Sequence, residues 1–144
     1  MRAVCQRVSE ARVRVDGGVV AEIGAGLVVL LGVARDDTDA DGNRLATKVG
    51  ALRIFENDEG KFDRSILDVN GSALVVSQFT LLADTRKGNR PSFSDAAPPE
   101  EAELRYDGFC RALAGQGVHV ARGIFGVRMA VELVNDGPVT IILG

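Results

Sequence analysis

Leu27 to Val33 read LVVLLGV, an apolar run interrupted only by one glycine and preceded by the turn-forming Gly24-Ala25-Gly26. A run this short and this rich in Val and Leu is suited to a central strand, because a strand with one wet face alternates apolar and polar residues instead. Its unbroken core, Leu27 to Leu31, is far shorter than the roughly 20 apolar residues needed to cross a bilayer. The segments before it do alternate. Arg2 to Ser9 place Val4, Gln6 and Val8 on one parity, and Ala11 to Val15 set Arg12 and Arg14 between apolar residues, so two strands are predicted. Asp16-Gly17-Gly18 then reads as a hairpin turn into VVAEI, since glycine supplies the positive φ that such turns require.

Helical spacing occurs twice. Thr38 followed three residues later by Asp41 forms an N-terminal capping pattern ahead of Leu45, Val49 and Leu52. Pro98-Pro99 opens the second helix, in which Ala102, Tyr106, Phe109 and Leu113 share one face before Gly115 and Gly117. Between the helices Leu52 to Phe55 and Ala73 to Phe79 are predicted as strands, with Asn57 to Gly60 and Asn70-Gly71 as turns. Val118 to Arg122, Arg128 to Asn135 and Val139 to Leu143 complete the predicted sheet. At 144 residues, without a linker or repeat, the chain is expected to be a single α+β domain over residues 1–144, with a mixed or antiparallel sheet and two main helices. Aromatic content of 5% with no Trp points to a core of Val, Leu, Ile and Ala.

Charge and cysteine usage narrow the function classes. The net charge of −3 argues against broad electrostatic capture of nucleic acid, so any RNA contact must be local. The most basic short window holds Arg86, Lys87 and Arg90 within ADTRKGNRPSF, which is also rich in turn formers. Cys5 and Cys110 have no CxxC spacing and are expected as free, buried thiols. The opening MRAVCQRVSE lacks the apolar stretch of a signal peptide, which predicts a soluble, cytoplasmic protein outside any membrane.

Several familiar motifs fail on inspection. Asp37, Asp39, Asp41 and Gly42 reproduce half of a calcium-binding loop, but Lys48 stands where the bidentate Glu is required, and a solvated helix start is preferred. His119 is the sole histidine and sits in a Val-His-Val alternation, as an ordinary strand residue would. With no His/Cys cluster, Walker loop or dinucleotide fingerprint, neither a metal nor a cofactor is expected.

Two segments carry more. Ser77-Gln78-Phe79-Thr80-Leu81 places hydroxyl and amide groups where the strand ALVV leaves the core, and Asn135-Asp136-Gly137-Pro138-Val139-Thr140 joins two predicted strands. Read alone, the first is a polar strand end and the second a hairpin turn. Together, in this order, SQFTL and NDGPVT resemble the paired signatures of the D-aminoacyl-tRNA deacylase family. QRVSEARVRVDG, LRIFENDEGKFDRS, ADTRKGNRPSFSDAAPP and FGVRMAVELVNDGPVT extend the resemblance over essentially the whole chain.

The resemblance implies a homodimer with a β-barrel-like or sandwich-like core, and hydrolysis of the ester of D-aminoacyl-tRNA with rejection of the L form; glycyl-tRNA is an expected further substrate. It implies that Ser77, Gln78, Phe79 and Thr80 form the catalytic segment. It further implies that Gly137 and Pro138, through a cis bond, bind substrate in the partner's active site. Arg86, Lys87 and Arg90 are candidates to hold the acceptor end of tRNA, and no role for DNA is expected. The residues themselves supply no evident general base for Thr80 or Ser77. That leaves open an RNA-binding protein without catalysis and a hydrolase of another small ester or amide with a Ser or Thr nucleophile.

Overall fold

The computed structural model describes residues 1–144. It contains β1 (Arg2–Val15), β2 (Gly18–Ile23), β3 (Gly26–Gly32), α1 (Asp39–Ala51), β4 (Phe55–Glu56), β5 (Phe62–Arg64), β6 (Ser72–Ser77), a 3₁₀ turn (Phe79–Leu82), α2 (Pro99–Gly115), β7 (His119–Arg122) and β8 (Ala130–Leu143). The main sheet runs β2-β1-β3-β6-β7, with β8 antiparallel along β1. β3, β6 and β7 are mutually parallel, so each crossover between them carries one of the two helices. The sheet curls into a nearly closed, barrel-like form in a single α+β domain, as expected.

Both faces of β3 are covered, which is why its sequence is continuously apolar. Leu27, Val29 and Leu31 pack with Ala3, Cys5, Ala73 and Val75 beneath the helices, where Phe109 and Leu113 of α2 and Val49 of α1 are fully buried. Val28 faces the other way, with Val8, Val13, Ile23, Leu74 and Val76, in a second core formed as the sheet curls over. Gly26 starts β3 hard against β6: a Cβ there would lie 1.8 Å from the Ser72 carbonyl oxygen, so any side chain would push the parallel strands apart.

Local signals place both helices. The Thr38 side chain accepts from the Asp41 N–H, and the Asp41 carboxylate accepts from the Thr38 N–H at 2.8 Å, closing the predicted capping box. Those bonds hold the Asp41 carboxyl below its usual range. Asp37 accepts the Ala34 N–H at 2.6 Å and Asp39 pairs with Arg105, so these carboxylates serve the helix start. In α2 the predicted face, Ala102, Tyr106, Phe109 and Leu113, is buried. The Tyr106 hydroxyl donates to the Val75 carbonyl at 2.7 Å and fixes α2 to β6.

Four strand boundaries differ from expectation. Arg2–Ser9 and Ala11–Val15 form one strand, β1, whose register against β8 shifts between Val8 and Glu10; the bulge breaks the alternation without breaking the strand. Leu52–Phe55 is mostly the irregular exit from α1, and pairing begins only at Phe55. Ala73–Phe79 ends at Ser77, where the chain tightens into the 3₁₀ turn. Arg128–Asn135 and Val139–Leu143 are joined in one strand, β8, so NDGPVT is not the expected hairpin.

Candidate active site

Ser77, Gln78 and Phe79 line a cavity of about 750 Å³ at the end of β6. The Gln78 N–H still donates to the Leu31 carbonyl at 2.7 Å, which holds the strand end against β3 before the chain turns away. Phe79 then opens the 3₁₀ turn. As its first two residues, Phe79 and Thr80 have N–H groups with no acceptor in the protein. Phe79 is 54% exposed and meets Phe93 edge to face at 4.9 Å between ring centroids, giving the cavity an aromatic wall. The start of α2 and the loop before β8, through Pro98, Ala102 and Met129, complete a mainly apolar lining.

Thr80 stands outside this cavity, and its hydroxyl accepts from Gln78 Nε2 at 2.5 Å. The Ser77 hydroxyl makes no side-chain hydrogen bond within the protein. His119, on β7, is exposed and does not line the cavity, and no His, Cys, Asp or Glu cluster has metal-ligand geometry. Neither hydroxyl is therefore backed by a side-chain base. What the segment offers a reacting carbonyl is an apolar enclosure with one unpaired backbone donor on its wall, at Phe79, and a second just outside it, at Thr80, groups of the kind that stabilise a developing oxyanion.

Gly137 and Pro138 lie elsewhere in the same chain. Val8 pairs with Asn135 and Gln6 with Thr140, so residues 136–139 bulge from β8 opposite Arg7 alone. Asn135 closes the base of the bulge: its Oδ1 accepts the Val139 N–H at 2.9 Å and its Nδ2 donates to Thr140 Oγ1 at 3.1 Å. Val139 turns inward and is buried, leaving Gly137 and Pro138 exposed at the crest, and the bond between them is cis. None of residues 135–140 lines the cavity holding Ser77.

One residue of this second region has no place in the sequence-based site. Arg7, only 6% exposed, donates from Nε to the Asp136 carbonyl at 3.0 Å and from Nη1 to the Ile54 carbonyl at 2.8 Å. Its Nη2 reaches Glu56 at 3.4 Å, and the Phe62 ring lies 5.6 Å from its Cζ. The available signal was a charged residue on the parity of Ala3 and Cys5, the side of β1 that faces the helices.

The basic window is also separate from the cavity lining. Arg86 is turned back on its own loop, donating from Nε and Nη2 to Asp84 at 2.9 and 2.6 Å, which lowers the Asp84 carboxyl below its ordinary range. Lys87 and Arg90 are exposed and make no ion pair.

The family described as D-Tyr-tRNA(Tyr) deacylase matches this chain over residues 4–144. The chain belongs to that family. A D-aminoacyl-tRNA deacylase of Anaeromyxobacter dehalogenans is 60% identical over 99% of this chain and 96% of its own length. That of Roseiflexus castenholzii is 61% identical over 99% of this chain and 91% of its own. Among solved structures, a c-Myc DNA unwinding element binding protein has a TM-score of 0.94 and 41% identity, covering 100% of this chain and 98% of that one. Both the segment beginning at Ser77 and the bulge at Gly137 depart locally from regular strand. No helix is long and apolar enough to cross a membrane.

Proposed function

We propose that this deacylase hydrolyses the ester of D-aminoacyl-tRNA in the cavity beside Ser77, Gln78, Phe79 and Thr80, releasing the free D-amino acid and tRNA. The observation that carries this reading is the unpaired N–H of Phe79 on the wall of a cavity with no side-chain base, with the unpaired N–H of Thr80 next to it in the chain. Water adds to the ester carbonyl, the N–H groups stabilise the oxyanion, and collapse expels the ribose 3′-oxygen, which takes up a proton. The neighbouring ribose 2′-hydroxyl of the tRNA supplies the activation of water that no protein side chain here provides.

A homodimer completes the site. Gly137 and Pro138 do not line the cavity of their own chain, and beyond the Gln6–Thr140 pair next to them the sheet carries exposed apolar surface: Ile142 is 74% exposed, in register with half-buried Val4, which pairs onward with Leu30. Docking two such faces carries each bulge into the partner's cavity, where the carbonyl oxygens of Gly137 and Pro138 receive the α-amino group. With amino group and ester fixed, a D side chain points to solvent and an L side chain meets the wall, so selectivity comes from rejection of L. Glycyl-tRNA, having no side chain, is accepted. Arg86, Lys87 and Arg90 hold the acceptor end, and the enzyme works in the cytoplasm, where its substrate is made. A DNA duplex is a poorer partner for this chain, because its net charge is −3 and most of its arginines are ion-paired.

Incubation with D- and L-tyrosyl-tRNA tests the reading. Release of D-tyrosine with the L ester spared is the expected result. Hydrolysis of both at equal rates defeats the chiral gate, and tRNA binding without hydrolysis defeats catalysis.

A further inference from the structure

Only two charged residues line the cavity, and both are arginines without an ion pair: Arg35 and Arg128. Arg7, Arg12, Arg14, Arg44, Arg53, Arg64, Arg86, Arg105 and Arg122, by contrast, all engage carboxylates. Arg35 follows Ala34, which bridges to Ala96. Its own N–H donates to the Asp95 carbonyl at 3.1 Å, and its Nε donates to the Ser94 carbonyl. The side chain is thus aimed by one nitrogen while both terminal nitrogens remain unpaired. Arg128 makes no hydrogen bond within the protein and borders a neighbouring groove with Arg14, Asp16 and Gly17. No carboxylate, including the adjacent Asp36 and the groove-lining Asp16, comes within 4 Å of either guanidinium. Both arginines are exposed, so their charges stand at the rim of an otherwise uncharged, mainly apolar cavity.

We propose that Arg35 and Arg128 form a phosphate clamp that grips the phosphodiester linkage immediately 5′ of the terminal nucleoside. The inference rests on the reading of the cavity as the aminoacyl-ester site and adds where the nucleic acid leaves it. A cavity of this size accommodates one aminoacylated nucleoside. The aromatic surface of Phe79 and Phe93 suits stacking of its base. The only charges such an end carries, apart from the amino group, are its phosphates, and guanidinium forks match phosphate oxygens geometrically. Arg35 and Arg128 are positioning residues: they fix the register of the 3′ end, and with it the ester, without touching the reacting atoms.

Equilibrium binding of two probes that carry no amino acid, the RNA trinucleotide CCA with its phosphodiesters and adenosine with none, tests the clamp on the intact protein. Arg35→Gln and Arg128→Gln are each expected to weaken trinucleotide binding about tenfold and to reduce its logarithmic salt slope by about 0.7 for each phosphate no longer neutralised. The ratio of trinucleotide to adenosine affinity therefore collapses. Arg111→Gln, which removes an exposed, unpaired arginine on α2 outside the cavity, leaves that ratio unchanged. With D-tyrosyl-tRNA the two clamp variants raise KM and retain kcat. Parallel loss for both probes means that the arginines only shape the cavity and overturns the clamp, as does trinucleotide binding insensitive to both substitutions or absent from the wild type. A wild type that binds the trinucleotide with the expected arginine dependence yet releases no D-tyrosine upholds the clamp and defeats the deacylase reading alone.

Discussion

Arg7 Nε lies 3.0 Å from the carbonyl oxygen of Asp136, so the residue opposite the β8 bulge is also the one that holds it. The same guanidinium ties the bulge to Ile54, at the start of the β4–β5 hairpin, at 2.8 Å. Arg7→Met is expected to lower stability by about 2–4 kcal/mol, because two carbonyls lose a charged donor and Glu56 loses its partner. Arg7→Lys keeps the charge without the planar fork, and should retain more stability while still reducing deacylation. Urea unfolding and single-turnover kinetics measure the two effects; unchanged turnover in both variants would remove Arg7 from any part in positioning the bulge.

Gly137 has φ +135°, and a Cβ there would lie 2.8 Å from Val139 Cγ2 and 3.1 Å from Arg7 Nη2. Gly137→Ala therefore combines a backbone conformation disfavoured for L side chains, costing about 1–3 kcal/mol, with displacement of Arg7. Deacylation of D-tyrosyl-tRNA should fall by more than about tenfold, equivalent to roughly 1.4 kcal/mol of barrier. Wild-type kinetics in this variant would show that the crest of the bulge does not meet the substrate.

Arg86, Lys87 and Arg90 are expected to contribute unequally to tRNA affinity. Arg86 must leave Asp84 to meet a phosphate, whereas Lys87 and Arg90 are free. Replacing Lys87 and Arg90 with Ala should raise KM and flatten its salt dependence more than Arg86→Ala does. Equal salt slopes in all variants and the wild type would identify the loop as a solvated connection.

Cys5 and Cys110 should resist alkylation in the folded protein. Burial pushes their thiols up to about 12 and about 11, so almost no thiolate exists at pH 8. Mass spectrometry after iodoacetamide should find both unmodified until denaturant is added. The same shifts give a sign for stability: an unfolded thiol ionises near 9.0, the folded ones above it, so stability declines as pH rises from about 9 towards 12. Rapid native labelling of either thiol would contradict the packing described for the helix-side core.

His119→Ala should change turnover by less than about twofold, and a chelator should do the same, because His119 is exposed on β7 outside the cavity and no ligand cluster exists. A tenfold loss, roughly 1.4 kcal/mol of barrier, would require a base or metal absent from the proposed chemistry.

What the sequence determined by itself are the features whose causes are local. The Thr38–Asp41 capping box, the buried stripe of α2, the Asp16-Gly17 hairpin and the doubly covered β3 each follow from neighbours within a few residues, and the structure contains all of them. The signature segments were legible as a resemblance, without their geometry. Tertiary structure alone decided the rest, because it depends on partners distant in the chain. A bulge at Val8–Glu10 reads as a strand end until β8 is seen to run past it. Asn135-Asp136-Gly137-Pro138 reads as a hairpin until β1 is found beside it, with Arg7 supplying the bond that holds the loop as a crest on one strand. The cavity draws on β6, the 3₁₀ turn, the start of α2 and the loop before β8, segments that no sequence window contains together. Arg7 and Arg35 are aimed by carbonyls at Asp136, Ile54 and Ser94, and backbone acceptors carry no residue-specific mark in a sequence.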